Sequence, residues 1–149
     1  MVTTVGTQND YGDLLKALLK LEHDAIAAYE TTLDKLESLS AKENIQGFLD
    51  DHHRHVRDLK ALAADAGVAP SDDGSMKEML TTGKVQLASL MGDGAVIGAM
   101  RSNEEDTVTA YQRAKDHEGL EPRAREVFSQ AYQDEVRHRD WMERAAQSA

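Results

Sequence analysis

Residues 21–30, LEHDAIAAYE, and residues 103–112, NEEDTVTAYQ, are two copies of one pattern at a constant offset of 82. Glu22 pairs with Glu104, Asp24 with Asp106 and Tyr29 with Tyr111. A second pair of segments repeats at an offset of 83, matching Ile45 with Phe128, Phe48 with Ala131, Leu49 with Tyr132 and Leu59 with Met142. A chain built twice from the same two segments can bury them only by packing one half on the other.

Each segment has helical spacing. The first stripe runs Tyr11, Leu15, Leu18, Ala25, Tyr29, Thr32, Leu36, in steps of three and four. The second is Ile45, Phe48, Leu49, Val56, Leu59, Leu62; the third Ile97, Met100, Val108, Tyr111; the fourth Phe128, Ala131, Tyr132, Met142, Ala145. Asp10 or Asn9 caps the first helix. Ser40 caps the second, with Glu43 as its capping-box partner, and Gly67 with Pro70 ends it. A shorter helix is expected from Ser75 to Met91, Gly92–Gly94 interrupts the chain, and Pro122 suits the first turn of the last helix. The expected architecture is an all-α four-helix bundle in one domain, 1–149. Hairpin 10–67 and hairpin 95–147 are joined by a crossover, 68–94, that carries the extra short helix. That crossover can return along the bundle, which permits the second hairpin to lie parallel to the first.

The stripes are interrupted. Position 22 calls for an apolar side chain and holds Glu22; position 104 holds Glu104. In the second helix, DDHHRHVRDL (50–59) packs three of the chain's six histidines into four residues. At about 100° per residue, His52 falls at the centre of the stripe and His55 at its edge, while His53 and Asp51 turn toward solvent. The repeat sets His52 opposite Glu135 and His55 opposite His138. His23 and His117 read as surface. Six ionisable residues, Glu22, His52, His55, Glu104, Glu135 and His138, therefore point into the core near the middle of their helices. Burying them unpaired costs several kcal/mol. Three accounts follow: a transition-metal site, a metal-free network of Glu–His⁺ pairs, or helix faces assigned wrongly. Tyr29 and Tyr111, two turns beyond Glu22 and Glu104, can pack in the core with the hydroxyl reaching a polar group, or stand beside a metal as supports for its ligands or as redox phenols.

The bulk composition narrows the classes. A net charge of −10 with no basic stripe argues against nucleic acid and anionic membranes. The absence of cysteine excludes disulfides, zinc–thiolate sites and iron–sulfur clusters. MVTTVGTQND lacks the basic and apolar regions of a secretion signal, and no apolar run is of membrane-spanning length, so a cytoplasmic location is expected.

The pattern resembles the ferritin-like superfamily, the di-iron carboxylate four-helix bundles, over about residues 10–146. Glu22 with Tyr29, and Glu104 with Tyr111, are similar to its Glu-bearing helices, and EVRH (135–138) to its Glu-x-x-His segment. GSMKEMLTTGKVQLASLMGDGAVIGAMRSNEEDTVTAYQRA (74–114) resembles a bacterial ferritin-like family of unknown function. The resemblance implies a non-haem metal centre, iron first, with one or two ions and with zinc or manganese as alternatives. It implies an activity of ferroxidase or peroxidase type, in iron oxidation or oxidant and stress protection, with dioxygen or peroxide as co-reactant. A homodimer is compatible with it. The other reading is a metal-free, stress-associated helical module. The chain departs from the superfamily at one position, where His52-x-x-His55 replaces the first Glu-x-x-His. A carboxylate bridges two ions, whereas a neutral imidazole binds one, so an asymmetric pair bridged by Glu135 alone and a mononuclear site both remain open. Extra imidazole favours zinc, copper and iron over magnesium or calcium.

Overall fold

A computed structural model describes residues 3–68, 87 and 89–148. Four helices account for most of them: α1 (Tyr11–Lys35), α2 (Leu39–Ala66), α3 (Asp93–Lys115) and α4 (Pro122–Ser148). No strand occurs among the described residues. The connecting helix expected at Ser75–Met91 lies for the most part outside them.

The helix ends follow local chemistry. Asp10 caps α1 by accepting the Asp13 N–H at 2.9 Å. Gly67 ends α2 at φ 69°, a left-handed conformation that costs glycine little. The cap of α2 is Ser38, not Ser40: Ser38 Oγ accepts the Ala41 N–H at 3.2 Å, and Ser40 lies within the first turn. The reason is tertiary. The Asp93 carboxylate, at the start of α3, accepts the backbone N–H groups of Glu37 and Ser38 at 2.9 and 3.0 Å. That clamp fixes the chain in an extended conformation at Ser38 and starts the helix two residues early.

The helices pack as a square, with α1 on α2, α3 on α4, α1 on α3 and α2 on α4. Adjacent helices run in opposite directions. Tyr29 meets Glu104 while Tyr111 meets Glu22, so α3 descends as α1 rises. Asp93 sits beside the α1–α2 turn, whereas the α3–α4 turn reaches the other end, where His117 Nε2 faces the carbonyls of Gln8 and Asn9. The hairpins are thus inverted relative to each other, contrary to the parallel arrangement expected from crossover length. The diagonal pairs, α2 with α3 and α1 with α4, run the same way, so the end of α2 and the start of α3 lie at opposite ends of the bundle. The operation relating the halves is a pseudo-two-fold axis across the helices.

The core has two apolar ends. One gathers Leu14, Leu15, Leu18, Leu59, Ala114 and Phe128; the other gathers Ile45, Phe48, Leu49, Ile97, Met100 and Met142. The polar interruptions lie between them. The corrected cap is testable by urea denaturation: Ser38→Ala should cost about 1 kcal/mol, and Ser40→Ala should stay within about 0.5 kcal/mol. The reverse order would restore the sequence-based cap.

Candidate metal centre

Each helix contributes to the polar layer from its middle turns. Glu22 and Glu135 are fully buried, as are His52 and His138, and Glu104 and His55 are 1% and 3% exposed. His53 is exposed, and His23 and His117 are half-buried. The face assignment made from periodicity therefore describes all six inward residues.

They form two overlapping groups. Glu22, His52, His55 and Glu135 each bring a ligand atom within 4.8 Å of the others; so do His52, Glu104, Glu135 and His138. The pseudo-two-fold exchanges Glu22 with Glu104, His55 with His138 and His52 with Glu135, and so converts one group into the other. His52 and Glu135 belong to both. The Glu135 carboxylate straddles them: Oε1 lies 3.3 Å from His55 Nδ1, and Oε2 lies 3.7 Å from His138 Nδ1.

The tyrosines cross over. Tyr111 Oη donates to Glu22 Oε1 at 2.6 Å, and Tyr29 Oη donates to Glu104 Oε1. Burial and the adjacent carboxylates push both phenols well above their ordinary range, so they remain hydrogen-bond donors. Their spacing of seven residues from the glutamates pointed to contact with the polar layer. That each tyrosine serves the other half's glutamate follows only from the inverted packing.

The histidines are held from behind. His55 Nε2 meets Asp134 Oδ2 at 2.9 Å, and His138 Nε2 meets Asp51 Oδ2 at 2.8 Å. Arg54 pairs with Asp134 and Arg137 with Asp51, the latter at 2.8 Å. These contacts leave each Nδ1 directed at the glutamates, the orientation a metal-binding imidazole needs. The sequence reading placed Asp51 toward solvent and overlooked Asp134. Asp51 is in fact half-buried, because the α2–α4 interface covers it. A signal existed: the offset of 83 aligns DHHRH (51–55) with DEVRH (134–138), matching Asp, Arg and His in each. Thr107 was also missed. Its hydroxyl lies 2.7 Å from Glu104 Oε2 and 2.8 Å from Glu135 Oε2. Ala25 occupies the equivalent place in the other half, so the repeat gave no hint of it.

The charge distribution is unequal across the axis. Burial opposes ionisation of Glu22, but the His52 and His55 charges and hydrogen bonds outweigh it and hold its carboxyl at about 2. Glu135 is likewise held well below its ordinary value, burial being outweighed chiefly by His52. Burial and the neighbouring Glu135 charge instead push Glu104 up to about 7, with His52 offsetting this only in part. The single Thr107 hydroxyl hydrogen lies between Glu104 Oε2 and Glu135 Oε2 and donates to one of the two carboxylates at a time. His52 and His55 are raised well above 6.5 because carboxylates outweigh the burial that opposes their charge.

Two atoms of this layer have no hydrogen-bond partner, Glu135 Oε1 and His138 Nδ1. Glu135 is common to both groups and His138 belongs to the second. Orphaned buried polar atoms are costly and uncommon, and both are good ligands for a transition metal.

The sequence model of a family described as a domain of unknown function, DUF2383, matches residues 10–117. No curated protein and no solved structure matches the chain. Among the described residues, no helix is long and apolar enough to cross a membrane.

Without metal, the layer sets a pH optimum. The contributions of Glu22 and Glu135, whose values are lowered, are present above 4.5 and are lost as pH falls toward 2. Those of His52 and His55, whose values are raised, are complete below 6.5 and are lost as pH rises through their folded values. Glu104 adds a loss between 4.5 and about 7. In chelator, the melting temperature should peak between 4.5 and 6.5, and Glu104→Gln should move the optimum upward. A melting temperature that climbs steadily from about pH 6 to pH 8 would contradict this assignment of charges.

Proposed function

The chain belongs to the DUF2383 family, and from that premise we propose that it is a ferritin-like metalloprotein whose core takes two transition-metal ions, iron(II) foremost, and acts in iron oxidation or the removal of oxidants. The observation that carries this reading is the orphaned pair, Glu135 Oε1 on the residue common to both four-residue groups and His138 Nδ1 in the second. Hydrogen bonding within the protein completes the rest of the layer and stops at these two atoms. The donor set fits: three imidazoles and three carboxylates suit iron, zinc, copper or manganese better than magnesium or calcium.

Glu22, His55, His52 and Glu135 would hold one ion; Glu104, His138, His52 and Glu135 would hold the other. When bound, iron(II) supplies the electrons for reducing dioxygen or peroxide. The protein's own part is defined by its residues. Asp134 and Asp51 orient His55 and His138. Tyr111 and Tyr29 donate to Glu22 and Glu104 and fix the carboxylate rotamers. The apolar ends keep bulk water from the layer, which strengthens every charge interaction inside it.

One observation favours a second reading, in which the protein is a metal-free binding or structural module. Glu22 is fully partnered by hydrogen bonds within the protein, from His52, His55 and Tyr111. The layer would then serve to fix helix register.

Melting temperatures measured anaerobically, with and without iron(II), separate the two. Metal that binds the native state at a thousandfold excess over Kd stabilises it by about 4 kcal/mol. Glu135→Ala should abolish that increment. In the metal-free reading, iron, zinc and manganese leave the wild-type melting temperature unchanged, and Glu135→Ala destabilises equally in their presence and absence. A further expectation concerns the supports: Asp134→Asn should weaken metal binding by about 10- to 100-fold in a chelator competition. An unchanged Kd would remove Asp134 from the site.

A further inference from the structure

We propose that His52 joins the two metal positions through its ring, carrying one ion on Nδ1 and a second on Nε2. This rests on the two-ion reading above and adds how the two positions are linked. The two four-residue groups share only His52 and Glu135. Glu135 can serve both because it has two oxygens. His52 can serve both only if its two nitrogens face different groups, and they do. Nδ1 lies 2.6 Å from Glu22 Oε2 and 3.6 Å from Glu135 Oε1. Nε2 lies 3.4 Å from Glu104 Oε1, on the opposite edge of the ring.

The ring is wedged in that orientation. Tyr29 lies tilted against it at 4.7 Å between centroids, with His55 and His138 at 5.4 and 5.3 Å. The side chain is fully buried, so no water competes for either nitrogen. The nitrogens of an imidazole diverge, and one ion cannot accept both. An ion on Nδ1 joins the Glu22 group and an ion on Nε2 joins the Glu104 group. With both in place the ring carries no N–H, and its last proton leaves for solvent as the second ion enters. The arrangement fixes a spacing. Two metal–nitrogen bonds of about 2 Å and the intervening ring put the ions about 6 Å apart, against about 3.5–4 Å in sites closed by small oxygen bridges.

Copper(II) is a suitable probe, because it carries one unpaired electron and binds imidazole strongly. The full chain, with exposed His53 replaced by Ala to limit surface binding, is titrated while its electron paramagnetic resonance spectrum is recorded. One equivalent should give an isolated ion. Two should give a coupled pair, whose half-field transition reports a separation of about 6 Å. His52→Gln should lose the pair signal and bind a single tight equivalent. His52→Glu, which restores two donor oxygens, should bind two ions at the shorter separation. A wild-type pair at about 3.5–4 Å, a wild type that takes only one ion, or a pair signal unchanged in His52→Gln would each overturn the ring bridge while leaving metal binding intact. Failure to bind copper, zinc or iron at all would overturn the two-ion reading itself. The spectrum of the parent chain needs no substitution in the polar layer, so a misfolded His52→Gln would not rescue the proposal.

Discussion

The structure is organised around one costly act: placing three glutamates and three histidines in the middle of an apolar core. Each would be expensive there alone. They become tolerable together, because Glu22 is matched by two histidines, Glu104 accepts from Tyr29 and meets the Thr107 hydroxyl, and Glu135 lies among all three imidazoles. The requirement that they meet at one level constrains everything else. The four helices must align their central turns, and the apolar residues are left to fill the two ends. The second hairpin must also lie inverted, with the start of α3 beside the α1–α2 turn.

Inversion turns a sequence repeat into a chemical one. Because the axis crosses the helices, each half completes the other's site. Tyr111 serves Glu22 and Tyr29 serves Glu104. Asp134 holds His55 and Asp51 holds His138. No half holds a full four-residue group alone, so the site is complete only once the two hairpins have packed together. Two deviations from symmetry matter. Thr107 faces Ala25 across the axis and gives the Glu104 side a shared hydroxyl. His52 faces Glu135 and gives the centre one ring and one carboxylate where strict repetition would have placed two of a kind.

Much of this was legible in the sequence. Four stripes with steps of three and four, a repeated segment and a long connection define an all-α bundle of two hairpins. Polar residues at stripe positions identify the six inward side chains, since periodicity alone fixes which face a residue occupies. His53 was separated from His52 and His55 on the same ground. Local chemistry was a weaker guide where a distant group intervened. Ser40 and Glu43 form a credible capping box, but Asp93 reaches across from another helix and makes Ser38 the cap.

The sequence by itself determined the helices, their buried faces and the membership of the polar layer, because these depend on the spacing of residues along one chain. Only the tertiary structure decided which residue meets which. The direction of α3 against α1 cannot be read from periodicity, since an amphipathic helix buries the same face whichever way it runs. That direction crosses the tyrosines between halves and brings Asp51 out of solvent onto His138. It also sets the two nitrogens of His52 against glutamates from different helices. A face is a property of one helix; a partner is a property of two.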